Sequence, residues 1–148
     1  MSDSIIKIIP RNHNISISKT AIEKAKNYLS EQFGADKVVL KEYKYLSFID
    51  CGSNLEEITC PSCGKIIPFD LWGKQMSISK ETAFTDLTIN TPCCNTATRL
   101  DKLNYNYDCG FSKFEIDLIN CCKKLSDNVI AEIEKIFSNA IKIIYVHY

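Results

Sequence analysis

The period of the hydrophobic positions changes several times along this chain, and each change marks an element. Ile5-Ile6-Lys7-Ile8-Ile9 is apolar on nearly both parities and ends at Pro10, which predicts a short strand buried on both faces. After a polar connection from Arg11 to Ser18, the residues Ile22, Ala25, Leu29 and Phe33 fall on one helical stripe, Thr20 and Glu23 stand at capping-box spacing, and Gly34 follows as a stop. A helix over about 19–33 is expected. Residues 37–49 are rich in Val, Tyr, Phe and Ile and read as a second strand, bent near Lys41-Glu42.

From Asp50-Cys51-Gly52 to about Gly110 the pattern breaks into short strands, cysteine-bearing turns and one short helix carrying Trp72 and Met76. Beyond it, Phe114, Ile116 and Leu118 alternate with Glu115 and Asp117, the mark of a half-buried strand over roughly 112–121. Ser126-Asp127 caps a helix with Val129, Ile130, Ile133, Ile136, Phe137 and Ala140 at its apolar positions, and 141–148 is again a strand. With 52–110 set aside, the order is β-α-β-β-α-β. The expectation is one α+β domain over 1–148: a ferredoxin-like βαββαβ sandwich with both helices on one sheet face, and 52–110 a zinc-ribbon insertion between the second and third principal strands.

Eight cysteines, at 51, 60, 63, 93, 94, 109, 121 and 122, change the picture from architecture to chemistry. Cys60-Pro61-Ser62-Cys63-Gly64 lies between Ile58 and Ile66-Ile67, so two short strands bracket a tight turn with two thiols. A second bracket, Leu87-Thr88-Ile89 and Ala97-Thr98-Arg99-Leu100, encloses Pro92-Cys93-Cys94-Asn95, with Asn95 in the place of Gly64. Strict parallelism would put the remaining thiol at Thr91; it stands at Cys93 instead. Adjacent residues share a metal only where the backbone turns between them, which Pro92 and Asn95 favour. The leading assignment is a closed structural Zn2+ site of Cys60, Cys63, Cys93 and Cys94. Its rivals are three of these thiols plus Asp86 or Cys109, and a redox pair at Cys60 and Cys63. The redox reading is disfavoured because Lys65-Ile66-Ile67-Pro68 reads as strand where a helix should begin. Cys51, Cys109, Cys121 and Cys122 read as ordinary small hydrophobes.

Charge and the remaining motifs narrow the function classes. Eighteen basic residues, sixteen of them Lys, balance eighteen acidic ones, so whole-molecule attraction to nucleic acid or anionic membrane is not expected. No apolar run approaches a bilayer span and the start lacks a signal-peptide pattern, making a cytoplasmic protein the expectation. His13 and His147 are the only histidines and read as an exposed loop residue and a strand-end residue. No hydrolase, phosphate-loop or dinucleotide motif occurs. Gly110-Phe111 and Phe114 resemble an RNA-recognition strand, yet residues three apart face opposite sides of a strand and cannot both stack on bases.

Taken in order, Thr59-Cys60-Pro61-Ser62-Cys63-Gly64, Trp72, Met76, Phe84-Thr85-Asp86-Leu87, Pro92-Cys93-Cys94, Leu100-Asp101-Lys102-Leu103-Asn104-Tyr105, Gly110-Phe111 with Phe114, and Val146-His147-Tyr148 resemble a family of uncharacterised bacterial proteins. Members carry a CPxCG knuckle, a tryptophan helix, FTDL, PCCG and a GFxxF strand. The resemblance covers about 55–148, departs at Asn95 where the family has Gly, and implies the same four metal ligands and no established activity.

The functional expectation is a non-catalytic, zinc-stabilised interaction module that binds another protein through the ribbon, Trp72 and the Tyr105–Tyr107 loop, as an immunity or antitoxin protein would. The alternatives are a nucleic-acid-binding ribbon using Lys74, Lys80, Arg99 and Lys102, and a metalloenzyme with an open metal position.

Overall fold

The computed structural model describes residues 4–121 and 124–147. In chain order the elements are β1 (Ser4–Pro10), α1 (Lys19–Phe33), β2 (Val38–Ile49), β3 (Ile58–Thr59), α2 (Phe69–Glu81), β4 (Thr88–Asn90), β5 (Ala97–Arg99), β6 (Asn104–Tyr105), β7 (Gly110–Ile119), α3 (Asp127–Phe137) and β8 (Ile141–His147). The fold is mixed α+β, with three helices and antiparallel sheets. The four long strands form one sheet in the order β2-β7-β1-β8, and every neighbouring pair is antiparallel.

Strand alternation decides what each face carries. Ile6 and Ile8, Val38 and Leu40, Phe114, Ile116 and Leu118, and Ile141 and Ile143 project to one face. There they meet Ile22, Ala25 and Leu29 of α1 and Val129, Ile133 and Phe137 of α3 in a single core. Each large aliphatic fully enclosed here contributes roughly 1.5–3 kcal/mol. Ser126 caps α3 by accepting from the backbone N–H of Val129. The cap of α1 is Ser18, whose hydroxyl accepts from Ala21 N–H, and not the Thr20–Glu23 box expected from spacing. Helix α1 begins at Lys19, so Thr20 is already inside it.

The bend expected near Lys41-Glu42 appears as a break in the β2–β7 register between Glu42 and Ser47. Strand β7 runs from Gly110 to Ile119, about two residues earlier than the alternation suggested, and it is not half-buried. Glu115 and Asp117, expected to face solvent, are 2% and 0% exposed. They lie on the sheet face away from the helices, beside Lys7, which is itself buried. Lys41 reaches Asp117 at 3.3 Å and Lys7 reaches Asp50 at 2.9 Å. Two carboxylates are tolerated in this interior because cations and the Tyr43 hydroxyl, which donates to Glu115, come in with them.

The segment between β2 and β7 leaves the sheet at Asp50-Cys51-Gly52. Gly52 has φ +64 and bridges to His147, whose carbonyl would lie 2.5 Å from any added Cβ, so only glycine fits this exit. The segment then builds its own core from Ile58, Ile67, Phe84, Leu87, Ile89, Leu100 and Leu103, joined to the sheet strands through Phe48 and Phe111. A third cluster, Ile9, Ile49, Cys51, Cys109, Ile144 and Val146, seals the junction on the sheet face away from the helices. Among the described residues no helix is long and apolar enough to cross a membrane.

Candidate metal centre

The two cysteine-bearing turns are built alike. In the first, Cys60 N–H donates to Lys65 O at 2.8 Å and Gly64 N–H to Cys60 O at 2.9 Å. In the second, Thr91 N–H donates to Thr96 O at 3.0 Å and Asn95 N–H to Thr91 O at 2.8 Å. Residue for residue, Thr91 matches Cys60, Cys94 matches Cys63, and Asn95 matches Gly64, both of the last pair at positive φ (54° and 75°). Asn tolerates that conformation because its short amide can bond locally. The first turn is closed by the Thr59–Ile66 bridge and the second by the β4–β5 pair.

This match explains the unequal distribution of thiols. Thr91 occupies the base of the second turn, is 1% exposed, and points its hydroxyl at Cys94 Sγ, 3.2 Å away. The fourth sulfur comes from the middle of the turn: Cys93 Sγ lies 3.3 Å from Cys63 Sγ, while Cys60 and Cys94 sulfurs are 3.7 Å apart. All four sulfurs lie within 4.8 Å of one another and belong to no disulfide. A tetrahedral zinc with ligands at about 2.3 Å separates its sulfurs by about 3.8 Å, so the donor set fits a single ion. These four cysteines could hold a metal ion.

The surroundings prepare the sulfurs for a cation. Backbone N–H groups of Cys63 and Ser62 aim at Cys60 Sγ and lower its thiol to about 6. Cys94 is lowered by the hydroxyls of Thr91 and Thr96. At Cys63 the Lys65 N–H also lowers the thiol, but the neighbouring Cys93 sulfur, desolvation, and then the sulfurs of Cys60 and Cys94 outweigh it and raise the group to about 11. Crowded sulfurs resist losing every proton to water, and a divalent cation removes that conflict. Cys60 is buried and Cys93 half-buried, while Cys63 and Cys94 are exposed, so the cluster sits at the surface with one side rooted in the core of the segment.

The other residues singled out by sequence are placed differently. Trp72 and Tyr105 are half-buried partners: indole Nε1 donates to the Tyr105 hydroxyl at 3.2 Å, which donates to Leu100 O at 2.7 Å, and Phe48 packs edge-on to Trp72. Tyr107 is 38% exposed. Asp86 is occupied locally by Thr88, and Cys109 is buried at the sheet junction, its thiol pushed up to about 12 by burial. Neither belongs to the sulfur cluster. Cys51 is buried like Cys109, Cys121 is half-buried, and Cys122 lies outside the described residues.

His13 is not the exposed loop residue expected from sequence. Its side chain is 13% exposed, its Nε2 lies 3.1 Å from Asp101 Oδ2, and Arg99 Nε donates to Asp101 Oδ1 at 2.9 Å. Burial by itself raises Asp101, but the hydrogen bonds from Arg99 and His13 prevail and hold its carboxyl below the ordinary value. Nothing local announces this cluster, because His13 and Asp101 are 88 positions apart. The signal for Thr91 was present in the parallel between the two turns. No family model, curated protein or solved structure matches this chain.

Proposed function

We propose that Cys60, Cys63, Cys93 and Cys94 hold one structural zinc, and that the protein is a non-catalytic interaction module binding another protein through residues 52–110. On this reading the architecture is a ferredoxin-like sandwich carrying a zinc-ribbon insertion, supported by the antiparallel order β2-β7-β1-β8 and by the paired turns. It also fits the resemblance to the family with CPxCG and PCCG knuckles. Four thiolates leave zinc no open position for water, so the ion's contribution is to tie two short hairpins together and not to activate a nucleophile.

The observation that carries the binding role is where apolar surface is left uncovered. Of six exposed large hydrophobics among the described residues, four lie in this segment: Ile66 at 61%, Ile78 at 58%, Phe69 at 46% and Tyr107 at 38%. Ile66 and Phe69 follow directly on the first turn, and Phe69 packs edge-on to Trp72 with ring centroids 6.2 Å apart. Trp72 therefore acts from inside, as the support of the exposed ring.

Native mass spectrometry of the protein isolated gently from its host tests both parts. One zinc bound with four thiol protons displaced, together with a co-purifying protein lost in an I66S/F69S/I78S variant that keeps its zinc, is the expected result. A metal with fewer protons displaced overturns the closed site, and a complex indifferent to the triple variant overturns the binding surface.

A further inference from the structure

A cavity of about 710 Å³ opens where the loop after β1 and the start of β8 face residues 99–111 of the metal-bearing half. Its volume falls in the range of small-molecule sites. The whole chain has no net charge, yet Arg11, Arg99, Lys102 and Lys142 line this cavity against only Asp101 and Asp108. Arg99 is already ion-paired with Asp101, which also bonds to His13, and Lys142 Nζ is held by a neutral carbonyl, Cys109 O, at 2.9 Å. Arg11 and Lys102 are exposed and make no ion pair among the described residues. Three cations therefore stand against Asp108 alone.

The walls are held in place before any ligand arrives. Arg11 N–H donates to Ala140 O at 2.9 Å, fixing the loop to the approach of β8, and Ile15 N–H closes a turn on Asn12 O at 3.2 Å. On the opposite wall Tyr105 is tied to Leu100 O, and His13 packs on the edge of Phe111 at 6.4 Å. Gly110 lets Ile9 and Lys142 pack directly against the backbone, since a Cβ there would meet Ile9 Cδ1 at 3.0 Å and Lys142 Nζ at 3.6 Å. Tyr107 stands partly exposed among the lining residues.

We propose that this cavity binds a small phosphorylated ligand bearing a planar ring, of the size of a nucleoside monophosphate. Arg11, Lys102 and Lys142 receive the phosphate, the guanidinium of Arg11 by a two-pronged hydrogen bond, and Tyr107 stacks on the ring. Such a ligand bridges the sheet and the metal-bearing half, so its binding couples the two.

Isothermal titration of the zinc-loaded full chain with AMP, ribose 5-phosphate and adenosine tests the site. AMP is expected to bind most tightly, to weaken as salt rises, and to exceed adenosine by at least tenfold. R11A and K102A, both at exposed positions, are expected to reduce AMP affinity tenfold or more with zinc content and circular dichroism unchanged. Y107A is expected to weaken AMP and leave ribose 5-phosphate unaffected. Absence of binding by either phosphorylated probe, adenosine equal to AMP, or affinity indifferent to R11A and K102A overturns the proposal. None of these outcomes depends on whether residues 52–110 bind a protein.

Discussion

Strand β1 pairs with β8 in continuous register from Ser4 opposite His147 to Pro10 opposite Ile141, whereas β4 and β5 meet over three residues and β3 and β6 over two. The sheet with α1 and α3 buries one continuous core in which Ile8, Ala25, Leu29, Ile116, Leu118 and Ile133 are all 0% exposed. The 52–110 segment has a smaller core that includes one of its own candidate metal ligands, Cys60. Two-stranded ribbons this short are marginal in water. One half is held by apolar burial and ladder hydrogen bonds, and the other combines a smaller core with four clustered cysteines. The difference puts the candidate metal site where the hydrophobic core is thinner.

The sharpest way to break this comparison is to remove the metal proposed for the four cysteines. Structural zinc contributes about 10–16 kcal/mol in small fingers, comparable to the whole ~5–15 kcal/mol stability of a domain. Chelation is expected to abolish amide protection across 55–105 while β1, β7 and β8 stay protected; hydrogen exchange read by mass spectrometry checks this. Uniform protection after chelation would mean that the segment stands on its own core.

A pair of substitutions sharpens the origin of the fourth ligand. C93S is expected to weaken zinc by more than the about 10–100-fold that changes around a ligand cost. Because Thr91 stands where Cys60 stands in the first turn, T91C added to C93S is expected to recover much of the affinity, measured by chelator competition. No recovery would show that the second turn cannot supply a sulfur from its base.

In the sheet half the largest single effect belongs to packing. I133A should cost about 2–5 kcal/mol in urea unfolding, since Ile133 is fully enclosed between the helices and the sheet. Zinc affinity should not change, because the lost contacts lie in the helix-facing core.

The buried charges make that half pH-sensitive as well. Burial, and then Glu115 beside it, raise Asp117 to about 7, against the opposing pull of Lys41. The folded state therefore keeps this proton after the unfolded chain has lost it. Stability from this group is fully present below the unfolded value near 4 and is lost as pH rises toward 7, by at most about 1.4 kcal/mol per pH unit. D117N should flatten that fall and raise stability at pH 8, read by denaturant melts across pH. The smallest effect expected is S126A, about 0.5–2 kcal/mol from the lost cap of α3.

Much of the frame was legible because its signals are local. The stripe Ile22, Ala25, Leu29, the Ser126 cap, the bend in β2 and the two bracketed turns each rest on neighbours within a few positions, where backbone stereochemistry dictates the outcome. The grouping of Cys60 and Cys63 was readable in the same way. Alternation was legible too, but not what each face of β7 would meet. Glu115 and Asp117 fall on the predicted parity, yet Lys7, Lys41, Tyr43 and the bent part of β2 cover them.

The sequence by itself determined the elements, their apolar faces and the thiol character of the candidate metal site, because side-chain period and ligand spacing are set by backbone geometry over short distances. Only the tertiary structure decided that Cys93 supplies a sulfur beside Cys63 while Thr91 supplies a hydroxyl, that His13 is paired with Asp101, and that four cations share one cavity. Those juxtapositions join residues tens of positions apart. They depend on how two independently built cores dock against each other, and that information is spread over the whole chain.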